Sequence, residues 1–125
     1  RLVESQRQIA TQRLNEFRSL TPGWNDGSGE SVSDVMIDRA DLIVGQWIDS
    51  GILRPRLYPT PNAGILAEWR IDSWVISAEF FADSKNIEFV GVNVMTQERQ
   101  DLDIDCSGAD MGTRSVVDYF NTLRR

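Results

Sequence analysis

The chain has no histidine, a single lysine and a single cysteine, so its reactive inventory rests on 19 carboxylates and a set of arginines. Without imidazole there is no Ser-His or Cys-His dyad, no two-histidine zinc helix and no ordinary neutral-pH general base. Lys85 stands in a polar turn, lacking the apolar burial that a Schiff-base lysine needs. Cys106 ends an alternation in which Leu102, Ile104 and Cys106 interleave with Asp101, Asp103 and Asp105. Its thiol is therefore expected on a dry face, beside carboxylates that discourage a thiolate, and it reads as structural.

Among the carboxylates, Glu68 and Glu79 share one side of two alternating segments and could divide acid and base roles if a cleft covered them. An open sheet face supplies no such cleft. Asp101, Asp103 and Asp105 mimic the first ligands of an EF-hand loop, yet Cys106 stands where the loop needs glycine and Gly112 where it needs glutamate. Gly108 and Gly112 precede a helix without a G-x-G-x-x-G or Lys-Ser/Thr pattern, and Asp110 would repel an anion there. No motif requires a metal or a cofactor. Arg7, Arg13 and Arg18 are spaced so as to spread around a helix, and they read as solvated cations and not as a phosphate-tracking stripe. Four tryptophans are many for this length. Most are expected in the core, and Trp24 and Trp47, if laid over the sheet with a gap between them, would line an apolar small-molecule pocket.

These groups depend on a β-hairpin from Ile65 to Phe80. Ile65, Ala67, Trp69 and Ile71 alternate with polar residues, and Trp74, Ile76, Ala78 and Phe80 repeat the period. With Asp72-Ser73 as a two-residue turn, Ile71 faces Trp74 and Ile65 faces Phe80. Asp-Ser is a weak type I′ turn, so packing must hold the register. The opposite side carries Leu66, Glu68, Arg70, Val75, Ser77 and Glu79.

Val3, Ala10, Leu14 and Phe17 give an amphipathic helix ended by Thr21-Pro22-Gly23, followed by a turn-rich loop around Trp24. Ser33 is the expected N-cap of a second helix with Met36, Ile37, Ala40, Ile43, Val44, Trp47 and Ile48 on one face and Gly51 beyond its end. Pro55 marks Leu53–Tyr58 as an edge strand. Ile87 to about Met95 is a strand of ambiguous inward face, for which a bulge near Gly91 is expected. Leu102 to Cys106 gives a fifth strand. A last helix follows with Val116, Val117, Phe120 and Leu123 apolar and Arg124 and Arg125 against its C-terminal dipole. The order predicts one α+β domain over residues 1–125: an antiparallel β-meander of four to five strands, with two N-terminal helices and one C-terminal helix packed on one face.

A net charge of −6 and a pI near 4.6 argue against wrapping nucleic acid. No run is long and apolar enough to span a membrane, and the Arg-rich, polar start is unlike a signal peptide, so a cytoplasmic protein is expected.

Gly23-Trp24-Asn25-Asp26-Gly27, then Pro59-Thr60-Pro61-Asn62-Ala63-Gly64 and Glu68-Trp69, resemble a loose group of small bacterial proteins without assigned function. That group carries Gly-Trp-Asp-Gly, a later Pro-Thr-Pro-Asp-Gly-Gly and Glu-Trp. The resemblance spans residues 23 to 69, departs from the pattern at Asn62 and Ala63, and carries over no catalytic residue. It implies an origin in the bacterial accessory genome, in a phage or another mobile element. Physically, the pattern suggests a structural latch in which Glu68 accepts a hydrogen bond from the Trp24 loop or the Pro-Thr-Pro turn. The expectation is a non-enzymatic, acidic binding or regulatory protein that meets a protein partner or a second copy of itself through Leu66, Glu68, Arg70, Val75 and Glu79. The alternatives are the Trp24–Trp47 ligand pocket and a carboxylate-dependent enzyme.

Overall fold

The computed structural model describes residues 2–124, so Arg125 lies outside the described residues. Helix α1 (Leu2–Glu16) runs into a 3-10 turn (Phe17–Ser19), and α2 (Asp34–Asp49) follows. Then come β1 (Arg56–Pro59), β2 (Ile65–Ile71), β3 (Trp74–Phe80), β4 (Asn86–Asn93), β5 (Arg99–Asp105) and α3 (Thr113–Leu123). The five strands form one antiparallel sheet in the order β1-β2-β3-β4-β5.

The hairpin register is the one its alternation predicts, from Ile65 opposite Phe80 to Ile71 opposite Trp74. Its turn differs: Asp72 has φ of 53° while Ser73 avoids positive φ, so the expected type I′ geometry does not form. Ile65, Ala67, Ile76, Ala78 and Phe80 are completely buried, with Trp69 and Trp74 nearly so. Packing fixes this register, and a slip of one residue would expose every one of these side chains.

Strand β4 corrects the expectation of a bulge. It pairs without interruption, Ile87 opposite Phe80 through Gly91 opposite Ile76 to Asn93 opposite Trp74. Gly91 faces inward because a side chain from elsewhere fills its place: a Cβ there would stand 2.6 Å from the Tyr119 hydroxyl. That hydroxyl donates to the Gln100 carbonyl at 2.7 Å. Val90 and Val92 are thereby placed on the outer face.

Helix α2 starts where Ser33 caps it, accepting from the Met36 amide at 3.1 Å. Its buried stripe lays Trp47 at ring distances of 5.6 Å from Trp69, 5.7 Å from Phe80 and 5.4 Å from Phe89. From α3, Phe120 meets Trp69 edge-on at 4.9 Å. Each of these large rings contributes roughly 1.5–3 kcal/mol by burial before chain entropy is subtracted. The same face of the sheet therefore carries α2 and α3, while α1 packs along α2 and β1.

The arginines of α1 and of the 3-10 turn after it are fasteners and not merely solvated. Arg7 pairs with Asp49 at 3.1 Å, Arg18 bridges Asp34 and Asp38 at 2.8 and 2.5 Å, and Arg13 donates to the Leu57 carbonyl at 2.9 Å. This antiparallel pairing explains why Val3, expected in the core, is exposed: with Arg7 already beside Asp49, Val3 lies beyond the end of α2.

Candidate functional site

The sheet has two unlike faces. Alternate residues of the same strands form an outer face that no helix among the described residues covers. Across it, cross-strand pairing builds three rows. Arg70, Val75, Val92 and Arg99 form the row nearest the β2–β3 turn; Arg56, Glu68, Ser77, Val90 and Asp101 form the middle row; Tyr58, Leu66, Glu79, Glu88 and Asp103 form the far row. Leu66, Val75, Val90 and Val92 are half-buried only by their neighbours.

This face carries a hollow of about 510 Å³ lined by Leu53, Arg54, Arg56, Glu68, Trp69, Arg70 and Val75. Its origin is local. Strand β1 pairs only with Ile65 to Glu68, leaving the Trp69–Ile71 end of β2 without a neighbour on that side. Pro55, which cannot donate to a ladder, stands at this break. The segment before β1 is pinned instead by the Trp69 indole, which donates to the Leu53 carbonyl at 2.7 Å.

Arg54 donates to Gln6 at 2.8 Å, and among the described residues neither it nor Arg56 nor Arg70 has a carboxylate within ion-pair distance. Three guanidinium groups without ionic partners therefore surround one concavity on a chain of net charge −6. Guanidinium groups so placed favour carboxylate or phosphate oxygens.

At the opposite end of the face, Glu79 stands across from Glu88, and Glu88 across from Asp103. Directly opposed like charges in neighbouring strands are destabilising. Beside them, the Asp105 carboxylate is held below the usual range, chiefly by the Ser107 hydroxyl that donates to it at 2.6 Å. Among the described residues, no group of three or more His, Cys, Asp or Glu side chains is arranged to hold a metal ion.

The structure brings Leu66, Glu68, Arg70, Val75 and Glu79 together on the outer face, as expected from their alternation. It separates Trp24 and Trp47. Trp47 is fully buried beneath α2 and its indole N–H has no partner, while Trp24 folds back on its own loop and donates to the Glu30 carbonyl at 2.7 Å. The expected pocket between them is not formed, because the rings of Trp69, Phe80 and Phe89 close around Trp47.

The expected Glu68 latch is not formed, and a backbone link stands in its place. The Glu30 amide donates to the Pro61 carbonyl at 2.9 Å, joining the Trp24 loop to the Pro-Thr-Pro turn through backbone alone. Glu68 takes no part: it lies on the outer face opposite Arg56 and Ser77. Nor do Glu68 and Glu79 share a cleft, since Glu68 lines the hollow and Glu79 belongs to the acidic end.

Cys106 is buried, and burial foremost pushes its thiol up, with the Asp105 charge adding to it against the nearby Arg39. Sequence reasoning missed Arg54, Arg56, Val90, Val92 and Glu88 as parts of this surface. The strand pairing sets Arg56, Val90, Val92 and Glu88 on this face, and the hollow adds Arg54.

No helix among the described residues is long and apolar enough to cross a membrane. No protein-family model matches the chain, and no curated protein or solved structure shows significant similarity to it.

Proposed function

We propose that the chain is a non-enzymatic binding protein whose partner is another protein surface, docked on the outer face of the sheet with an acidic group seated among Arg54, Arg56 and Arg70. The observation that carries this reading is the hollow itself. It joins unpaired guanidinium groups to the apolar edges of Leu53, Trp69 and Val75, next to a bare strip of valines. Apolar contact at the centre with charge at the rim is the anatomy of a protein interface. We assign it a regulatory role in the bacterial cytoplasm, and the resemblance of residues 23 to 69 supports an origin as cargo of a mobile element.

Affinity capture with the wild-type chain and with Val75→Asp/Val92→Asp tests the reading. Both side chains point away from the core but face each other across β3 and β4, so the variant is expected to fold with a thermal midpoint lowered by the opposed aspartates and to lose the captured partner. Equal capture by both chains would defeat it.

A further inference from the structure

The outer face is electrically lopsided along its strands. Arg54, Arg56 and Arg70 gather toward the β2–β3 turn around a hollow whose one lining carboxylate is Glu68, whereas Glu79, Glu88 and Asp103 occupy adjoining positions at the other end. Lys85 offsets only part of this second charge, from its place near Asp105. Val75 and Val92 share the row of Arg70, Val90 stands in the middle row and Leu66 in the row of Glu79, so the apolar residues run obliquely across the face between the two charged corners. Such a surface is complementary to itself. A twofold axis in the plane between two copies carries the arginine end of one over the carboxylate end of the other, and turns the apolar strips toward each other.

We infer that the occupant of this face is a second copy of the chain, its Glu79–Glu88–Asp103 row seated against the arginine hollow of its mate; this rests on the outer face being the binding surface. The arginine–carboxylate contact forms twice in such an isologous pair, with the apolar strips meeting across the axis, and the arrangement closes as a dimer without leaving a free face. The opposed carboxylates that are a cost to the lone molecule acquire counter-charges on pairing. Five strands at ~4.8 Å spacing, rising ~3.3 Å per residue, offer roughly 500 Å² per copy. The pair then buries roughly 1,000 Å², the lower bound for a specific interface. The dimer is accordingly weak and is loosened by salt, because much of its attraction lies in charges at the rim.

Sedimentation equilibrium over ~1 µM to ~1 mM reads this directly. The wild-type mass is expected to rise toward twice the monomer, and added salt to oppose the rise. Two charge-reversed chains, Arg56→Glu/Arg70→Glu and Glu79→Arg/Glu88→Arg, are each expected to self-associate at least about tenfold more weakly, by like-charge contact. Mixed in equal amounts, they are expected to dimerise with each other, since reversal at both corners restores both contacts. Thermal unfolding checks that both variants are folded. A wild-type chain that stays monomeric, a dimer indifferent to both reversals, or a mixture that stays monomeric would overturn the inference. If the chain is monomeric yet captures another protein in a Val75- and Val92-dependent manner, the dimer falls while the binding face stands; if capture ignores these residues too, both fall.

Discussion

The two sides of this sheet are built from neighbouring residues and obey different rules. Ile76 is completely buried while Ser77 is half open, and Phe80 is sealed while Glu79 faces out. On the inner side, shape decides everything: rings meet at 4.9 to 6.4 Å and a glycine is needed to admit a tyrosine hydroxyl. On the outer side shape is slack and charge is ordered, with unpaired arginines at one end and opposed carboxylates at the other. Folding therefore depends on the first side and the proposed binding on the second, and a substitution should disturb one without the other.

The largest separation is expected from Phe89→Ala. Phe89 touches Trp47, Trp69, Tyr119 and Phe120, so its loss should cost about 3–5 kcal/mol in denaturant unfolding. Gly91→Val comes next, at about 1–3 kcal/mol, because its new side chain meets the Tyr119 hydroxyl. Adding Tyr119→Phe should recover part of that loss, and a strictly additive pair would show that the hydroxyl is not what Gly91 accommodates.

Smaller again is the contrast between two indoles. Trp69→Phe abandons the bond to the Leu53 carbonyl, whereas Trp47→Phe removes an N–H that has no partner. Beyond the similar loss of ring area, Trp69→Phe should cost about 1 kcal/mol more in unfolding.

Alkaline pH offers a probe of the same packing. Burial foremost, with the Asp101 charge adding to it, pushes the Tyr119 phenol up to about 12. The folded chain then holds a proton that the unfolded chain releases near pH ~10, so stability should fall as pH rises between these values. In Tyr58→Phe, which leaves Tyr119 as the one tyrosine, tyrosinate absorbance should report this late ionisation. An ordinary titration near pH ~10 would contradict the packing around Tyr119.

Least of all should Val75→Ser/Val92→Ser change stability: no more than about 1 kcal/mol per half-buried site is expected in thermal unfolding. The same pair should sharply weaken association. A large loss of stability would erase the distinction between the faces.

How much of this was legible depended on whether a side chain announced its own surroundings. The hairpin register was readable because a period of two leaves one dry arrangement for Trp69, Trp74, Ile76 and Phe80. Strand β4 was not, since Gly91 has no side chain to name its face and the group that fills its place comes from α3. The break at Pro55 was visible, yet the hollow it leaves depends on how far β1 covers β2. The Glu30–Pro61 link left no trace in the sequence, because two backbone groups make it. For Trp24 and Trp47, residue type alone promised large rings with a polar handle; which ring is walled in depends on Phe80 and Phe89 arriving from other strands.

The most direct test of a folding face set against a binding face is methyl-resolved NMR along a dilution series of the wild-type chain. Resonances of Leu66, Val75, Val90 and Val92 are expected to move with concentration while those of Ile65, Ile76 and Ile87 stay still. Spectra that do not change with concentration, or changes centred on the inner residues, would contradict the account.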